Sequence, residues 1–154
     1  MLPLPKKIQM RKIGTTQAGF VLRIVLGITM LSAVADRFGL WGAPGALGVA
    51  WGNWDNFIIY TQTLNSFASK SLAEVLGALA TFFEILFGLF LIIGFKTRYI
   101  ALGTAGLMLL FAFSMAVSVS IKAPFDYSVL TSAAAALLLS SLDKTYLALD
   151  NRSQ

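Results

Sequence analysis

The chain has 154 residues, 57% of them hydrophobic and only 12% charged, with a formal net charge of +5. A soluble domain is nearer a quarter charged, and one domain of this length has too little interior to hide so much apolar side chain, so a water-soluble fold is excluded. With no cysteine and no histidine, the chain alone cannot supply a disulfide, a dithiol relay, an iron–sulfur cluster, a haem imidazole, the commonest zinc and copper ligand or the usual general base at neutral pH.

Residues 1–17 are polar and basic, carrying Lys6, Lys7, Arg11 and Lys12, and Pro3 and Pro5 argue against a helix at the very start. Apolar runs follow at 18–38, 72–95, 99–119 and, more weakly, 127–142, and a tail occupies 143–154. A hydrocarbon core ~30 Å thick takes about 20 helical residues. The first three runs meet that length, whereas the fourth must borrow flanking residues or sit in thinned bilayer. The first run, preceded by basic residues and containing Ala33-Val34-Ala35, also has the outline of a secretory signal, but Arg23 interrupts it and it exceeds a typical signal core. The expected fold is an all-α integral membrane bundle of four transmembrane helices.

Orientation follows from the cations. With the N-terminus inside, Lys6, Lys7, Arg11, Lys12, Lys96, Arg98, Lys144 and Arg152 lie on one side, and only Lys70 and Lys122 on the other. This positive-inside bias predicts both ends cytoplasmic. Because the basic residues sit at the ends of apolar runs without interleaved aromatics, they read as topology signal and lipid-headgroup contact, not as a nucleic-acid surface.

The loops differ. Lys96-Thr97-Arg98 after Gly94 makes a tight turn, so the second and third spans are antiparallel neighbours. Pro124, with Asp126 as a cap, starts the fourth span. The first external loop, about 39–71, is rich in glycine and then places Trp54, Phe57, Ile58, Thr61 and Leu64 at helical spacing, with Asn53 as a cap. It reads as a short interfacial helix, with Trp41, Trp51, Trp54 and Tyr60 as an aromatic belt or as a lid over an outward cavity.

An ionisable group in hydrocarbon costs at least ~2.5–3.5 kcal/mol, so it marks a partner or a water-filled space. Arg23 shares a helix face with Gly19 and Gly27, and Glu84 shares one with Gly77, Ala80 and Gly88. Small-residue stripes let helix backbones approach closely, so both charges should face the interior. An Arg23–Glu84 pair is expected across a backbone offset of roughly 9 Å, as a clamp or as a polar core for a headgroup or proton. Near the outer surface Asp36, Arg37, Glu74, Lys122 and Asp126 form a second set, as stabilised loop ends or a vestibule, with Arg37–Glu74 or Asp36–Lys122 pairing. Met108, Met115, Ser114, Ser118 and the Ala133–Ala136 run read as packing. No metal site, phosphate loop or nucleophile–base set appears.

Leu22-Arg23-Ile24-Val25-Leu26-Gly27, Asp36-Arg37-Phe38-Gly39, Glu84-x-x-x-Gly88, the run Leu91 to Arg98, and Ile121 to Ser128 together resemble the DoxX family of four-helix bacterial inner-membrane proteins. The resemblance implies a link to thiosulfate:quinone oxidoreduction in some relatives, although the shared fold is more secure than a shared reaction. Three functions are open. One is an accessory or scaffold subunit with a bound lipid or quinone and a protein partner or homo-oligomer. The second is a quinone-reactive subunit, with Arg23, Glu84, Phe83 and Phe87 framing the ring and Trp54 lining the site. The third is a small-solute or proton pathway through Glu84.

Overall fold

A computed structural model describes residues 14–152; the basic residues Lys6, Lys7, Arg11 and Lys12 of the topology count lie outside them, as does the side chain of Arg152. The described chain is all-helical, with α1 Thr15–Arg37, α2 Trp54–Leu64, α3 Lys70–Ile93, α4 Thr97–Ser118, α5 Ala123–Asp126 and α6 Val129–Ser140, ending in a 3₁₀ turn at Leu149–Arg152. The helices α1, α3 and α4 are each long and apolar enough to cross a membrane.

The boundaries follow local chemistry. α1 begins at Thr15, three residues before the apolar run, because the Gln17 side chain reaches back to the Gly14 N–H at 3.2 Å and starts the helix in polar sequence. Asn53 caps α2 as expected, accepting from Asn56 N at 2.8 Å, and Ser69 caps α3 through Leu72 N. Gly94 ends α3 in the left-handed conformation at φ 70°. Within the expected fourth run the helix is shorter than the run itself. Ser128 sits at φ 56° between α5 and α6, Asp126 ends α5 instead of capping α6, and α6 keeps only 12 residues, about 18 Å of rise. Asp126 is held by Lys122 one turn earlier at 2.6 Å, and so is not available as a cap.

The long elements close a ring in which α1 packs on α3, α3 on α4, α4 on α6 and α6 on α1. Its core is Leu26 and Met30 from α1, Leu91 from α3, Ala101, Ala105 and Leu107 from α4, and Ala136 and Leu139 from α6. Buried positions recur at three and four residues, Gly19-Arg23-Leu26-Gly27-Met30-Val34-Arg37 on α1 and Ala73-Gly77-Thr81-Glu84-Gly88-Leu91 on α3, so each long helix presents one stripe inward and the rest outward. The stripes meet at two glycines. A Cβ on Gly27 would lie 2.8 Å from the Gly88 carbonyl oxygen, and one on Gly88 would lie 3.1 Å from the Gly27 oxygen. Here the helix backbones touch. A second, smaller core of Phe57, Ile58 and Ala73, flanked by Trp51 and Trp54, seats α2 on α3, where Ile58 fills the space beside Gly77.

Gly27→Ala should lower the melting temperature of the detergent-solubilised protein, because the added methyl meets the Gly88 carbonyl as well as the Ile92 side chain, and the backbone cannot turn aside; an overpacking cost of about 1–3 kcal/mol is expected. Gly106→Ala, at a site with nothing within 4 Å of the new carbon, should leave stability unchanged or raise it. Equal melting temperatures for Gly27→Ala and wild type would show that the crossing is looser than described.

Candidate functional site

Arg37 is the last residue of α1, and Cα–Cβ bonds tilt toward a helix N-terminus, so its long side chain runs back along α1 to the level of α3 residues 81–84. Its Nη1 donates to Thr81 Oγ1 at 2.7 Å and forms an ion pair with Glu84 Oε2. Arg37 and Glu84 are each only 3% exposed. The guanidinium is covered by the Phe57 ring, 4.0 Å from its centroid, with Trp51 at 5.3 Å. The loop and α2 therefore roof a buried Arg–Glu pair at one end of the bundle.

The expected Arg23–Glu84 pair does not form, for reasons of register and side-chain direction. With Gly27 opposite Gly88 and the two helices antiparallel, Glu84 lies level with α1 residue 31. The Arg23 backbone is then roughly 12 Å away, and its side chain points farther off still. Arg23 instead turns toward the Gly94 end of α3 and meets the C-terminal segment. Nη1 donates to Thr145 Oγ1 at 3.1 Å, and Nη2 to the Leu147 and Tyr146 carbonyls at 3.0 and 3.4 Å. A Cβ at Gly94 would fall inside the Arg23 guanidinium, so this glycine both ends α3 and makes room for the cation. The Asp150 carboxylate accepts from Lys96 N and Thr97 N at 2.6 and 2.7 Å, capping α4 from more than fifty residues away. In return Asp150 N donates to the Gly94 carbonyl at 3.0 Å. The segment expected as a C-terminal tail thus packs against this end of the bundle.

The outer set separates. Asp36 accepts from Ala50 N, Trp51 N and Gly52 N at 2.8, 3.3 and 2.9 Å and has no part in an Asp36–Lys122 pair; it folds the glycine-rich loop over Arg37. Gly52, at φ 69°, passes so close to Pro44 that a Cβ would lie 2.5 Å from its nitrogen. Arg37 is committed to Glu84, so the Arg37–Glu74 pair is also absent, and Lys122 joins Asp126 as an exposed pair one turn apart. Glu74 lines a separate cleft of about 380 Å³ with Trp54, Asp55, Ile58, Ile59, Gln62 and Lys70. Phe83 is 39% exposed on the outer face of α3, stacked at a tilt on Phe87 5.5 Å away. Sequence reasoning missed Thr81, Phe57, Thr145 and Asp150. Thr81 has a sequence signal, lying on the Gly77–Glu84 stripe; Thr145 and Asp150 have none, because their partners are distant in the chain.

The family model described as DoxX matches residues 18–117. The chain belongs to the DoxX family. The match runs through α1 to α4 and contains the whole Arg37–Glu84 cluster, while α5, α6 and the segment holding Arg23 lie beyond it. No curated protein and no solved structure matches this DoxX chain. Among the described residues no group of His, Cys, Asp or Glu is placed to hold a metal. The residues expected to frame a quinone are not brought together around one space. Arg23 and Glu84 serve opposite ends, Glu84 is bound by Arg37, and Phe87 fills the α3–α4 contact, where a Cβ on Gly103 would lie 2.7 Å from its ring.

Two stability measurements follow. Glu84→Leu leaves a buried guanidinium without its counter-ion and should cost about 3–5 kcal/mol, whereas the double variant Arg37→Leu/Glu84→Leu should recover most of that loss. Thr145→Val should destabilise the wild-type background by about 1–3 kcal/mol and the Arg23→Leu background by much less. Additive losses in either double-mutant cycle would show that the partners are not coupled.

Proposed function

We infer that this DoxX protein crosses the bacterial inner membrane four times with both ends cytoplasmic, and that it is an accessory or scaffold subunit and not a catalyst. The observation that carries the reading is that both buried guanidinia have partners within the chain, Arg37 through Nη1 with Glu84 and Thr81, and Arg23 through both terminal nitrogens with Thr145 and two carbonyls. A cation and carboxylate kept for substrate would be poised toward a cavity; these hold the two ends of the bundle shut. A polar core whose charges are held by partners within the chain gives rigidity, the property a scaffold needs.

A fourth crossing is supported by the return path of the chain. Asp150 caps the start of α4, so the residues after α4 travel back along its full length, with α6 and its flanks doing together what α6 is too short to do alone. Lys96, Arg98 and Lys144 then gather at the end where α1 begins, and Lys70 and Lys122 at the other, which is the arrangement that the positive-inside rule favours.

The natural absence of cysteine makes the topology directly measurable. In whole cells Leu47→Cys should react with a membrane-impermeant maleimide, and Lys144→Cys should react only after permeabilisation; labelling of both from outside would give an odd number of crossings. The scaffold role is checked by mild-detergent purification and mass spectrometry. A second protein at constant stoichiometry is the expected result, and a stoichiometric quinone with no protein partner would favour the quinone-reactive alternative.

A further inference from the structure

The cleft beside α2 is outside the polar core, and nothing in the scaffold reading uses it. One side of α2 supplies Trp54, Asp55, Ile58, Ile59 and Gln62, and the first turns of α3 supply Lys70 and Glu74. Ile58 is buried and seated against Gly77, which gives the cleft an apolar floor. Ile59, 63% exposed, gives it an apolar rim. The charges are on its walls. Asp55, Lys70 and Glu74 are exposed, and none of the three forms an ion pair with another described residue, unlike Glu84 and Asp126, which do.

Depth narrows what such a cleft can hold. Lys70 is the first residue of a helix long enough to span a bilayer, so the cleft lies where hydrocarbon gives way to headgroups, with Glu74 one turn deeper. One and two turns beyond Glu74, on the same side of α3, come Ala78 and Phe82, both exposed. A ligand with its polar end between Lys70 and the two carboxylates therefore has an apolar track below it for a chain. Two carboxylates and one ammonium around a volume of about 380 Å³ call for a group bearing both signs, whose cation can donate hydrogen bonds to carboxylates.

We propose that this cleft is a binding site for the headgroup of a zwitterionic aminophospholipid, with Lys70 on the phosphate and Asp55 and Glu74 on the primary ammonium. Trp54 and Ile59 cover the glycerol end, and an acyl chain follows Ala78 and Phe82. An anionic glycerol headgroup could set its phosphate on Lys70 but brings no cation to offset the two carboxylates, and a trimethylated ammonium has no N–H to give. The site thus discriminates by hydrogen bonding as well as by charge. It rests on the membrane placement of α3 and not on any protein partner, so the lipid result and the scaffold result can fail separately.

The test takes the full chain from vesicles of equimolar phosphatidylethanolamine, phosphatidylglycerol and phosphatidylcholine into mild detergent, and counts retained lipid by native mass spectrometry. Phosphatidylethanolamine should be retained about tenfold over either competitor, the ratio expected from one to two charge-assisted hydrogen bonds. Asp55→Asn/Glu74→Gln should bring the ratio close to one at an unchanged melting temperature, because the groups are exposed and unpaired. Glu74→Asp, which keeps the charge, should preserve the preference. Equal retention of the three lipids by the wild-type chain overturns the proposal, as does a preference that survives in the double variant.

Discussion

The backbone contact between Gly27 and Gly88 sets the register from which both polar clusters follow. Once α1 and α3 touch there with opposite directions, every residue of one helix has an assigned level on the other. Side chains lean toward the start of their own helix, so an arginine on α1 always reaches toward the N-terminal end of α1. Arg37, ten residues beyond the contact, leans back to the level of Glu84. Arg23, four residues before it, leans away from the only carboxylate on the facing stripe. In hydrocarbon a guanidinium without partners is too costly to keep, so the fold must bring acceptors to Arg23 from somewhere else, and it brings the segment after α6. The two ends of the bundle are therefore closed by different means, one by a direct ion pair under aromatic rings and the other by hydroxyl and carbonyl oxygens with the Asp150 carboxylate nearby.

Much of this was legible in the residues. Four apolar runs, the glycine stripes, the inward faces of Arg23 and Glu84, the capped amphipathic α2 and the tight turn at Gly94 all follow from spacing, because 3.6-residue periodicity and glycine conformation act locally. The partner of Glu84 was not legible, although the residues were all in hand. As points on helix axes, Arg23 and Glu84 differ in level by roughly 9 Å on sequence alone, an offset within an arginine's reach. The direction of that reach, together with the level fixed by the glycine contact, decides between Arg23 and Arg37. The Asp150 cap was illegible for another reason: a cap read from sequence is expected within three residues of its helix, and this one arrives after the chain has passed through α4 and α6.

The loop between α1 and α2 shows how a weakly structured sequence is made rigid by a single acid. Asp36 gathers three consecutive N–H groups of residues 50–52, and Gly39 and Gly52 take positive φ so that their backbones can pack closely. That fold delivers Trp51, and α2 then delivers Phe57, onto the guanidinium of the residue next to Asp36. Adjacent acidic and basic residues thus act on separate tasks: one ties down the lid, and the other is what the lid covers.

The dependence of Arg23 on Thr145, 122 residues later, has a consequence for biogenesis. A nascent α1 enters the bilayer long before its acceptors have been synthesised. Until residues 145–147 have been made, the Arg23 cation must borrow other oxygens, from lipid phosphate or from the insertion machinery, and it then exchanges them for its own. A chain stopped within α6 would lack these acceptors and leave its first helix with an arginine still held by its environment.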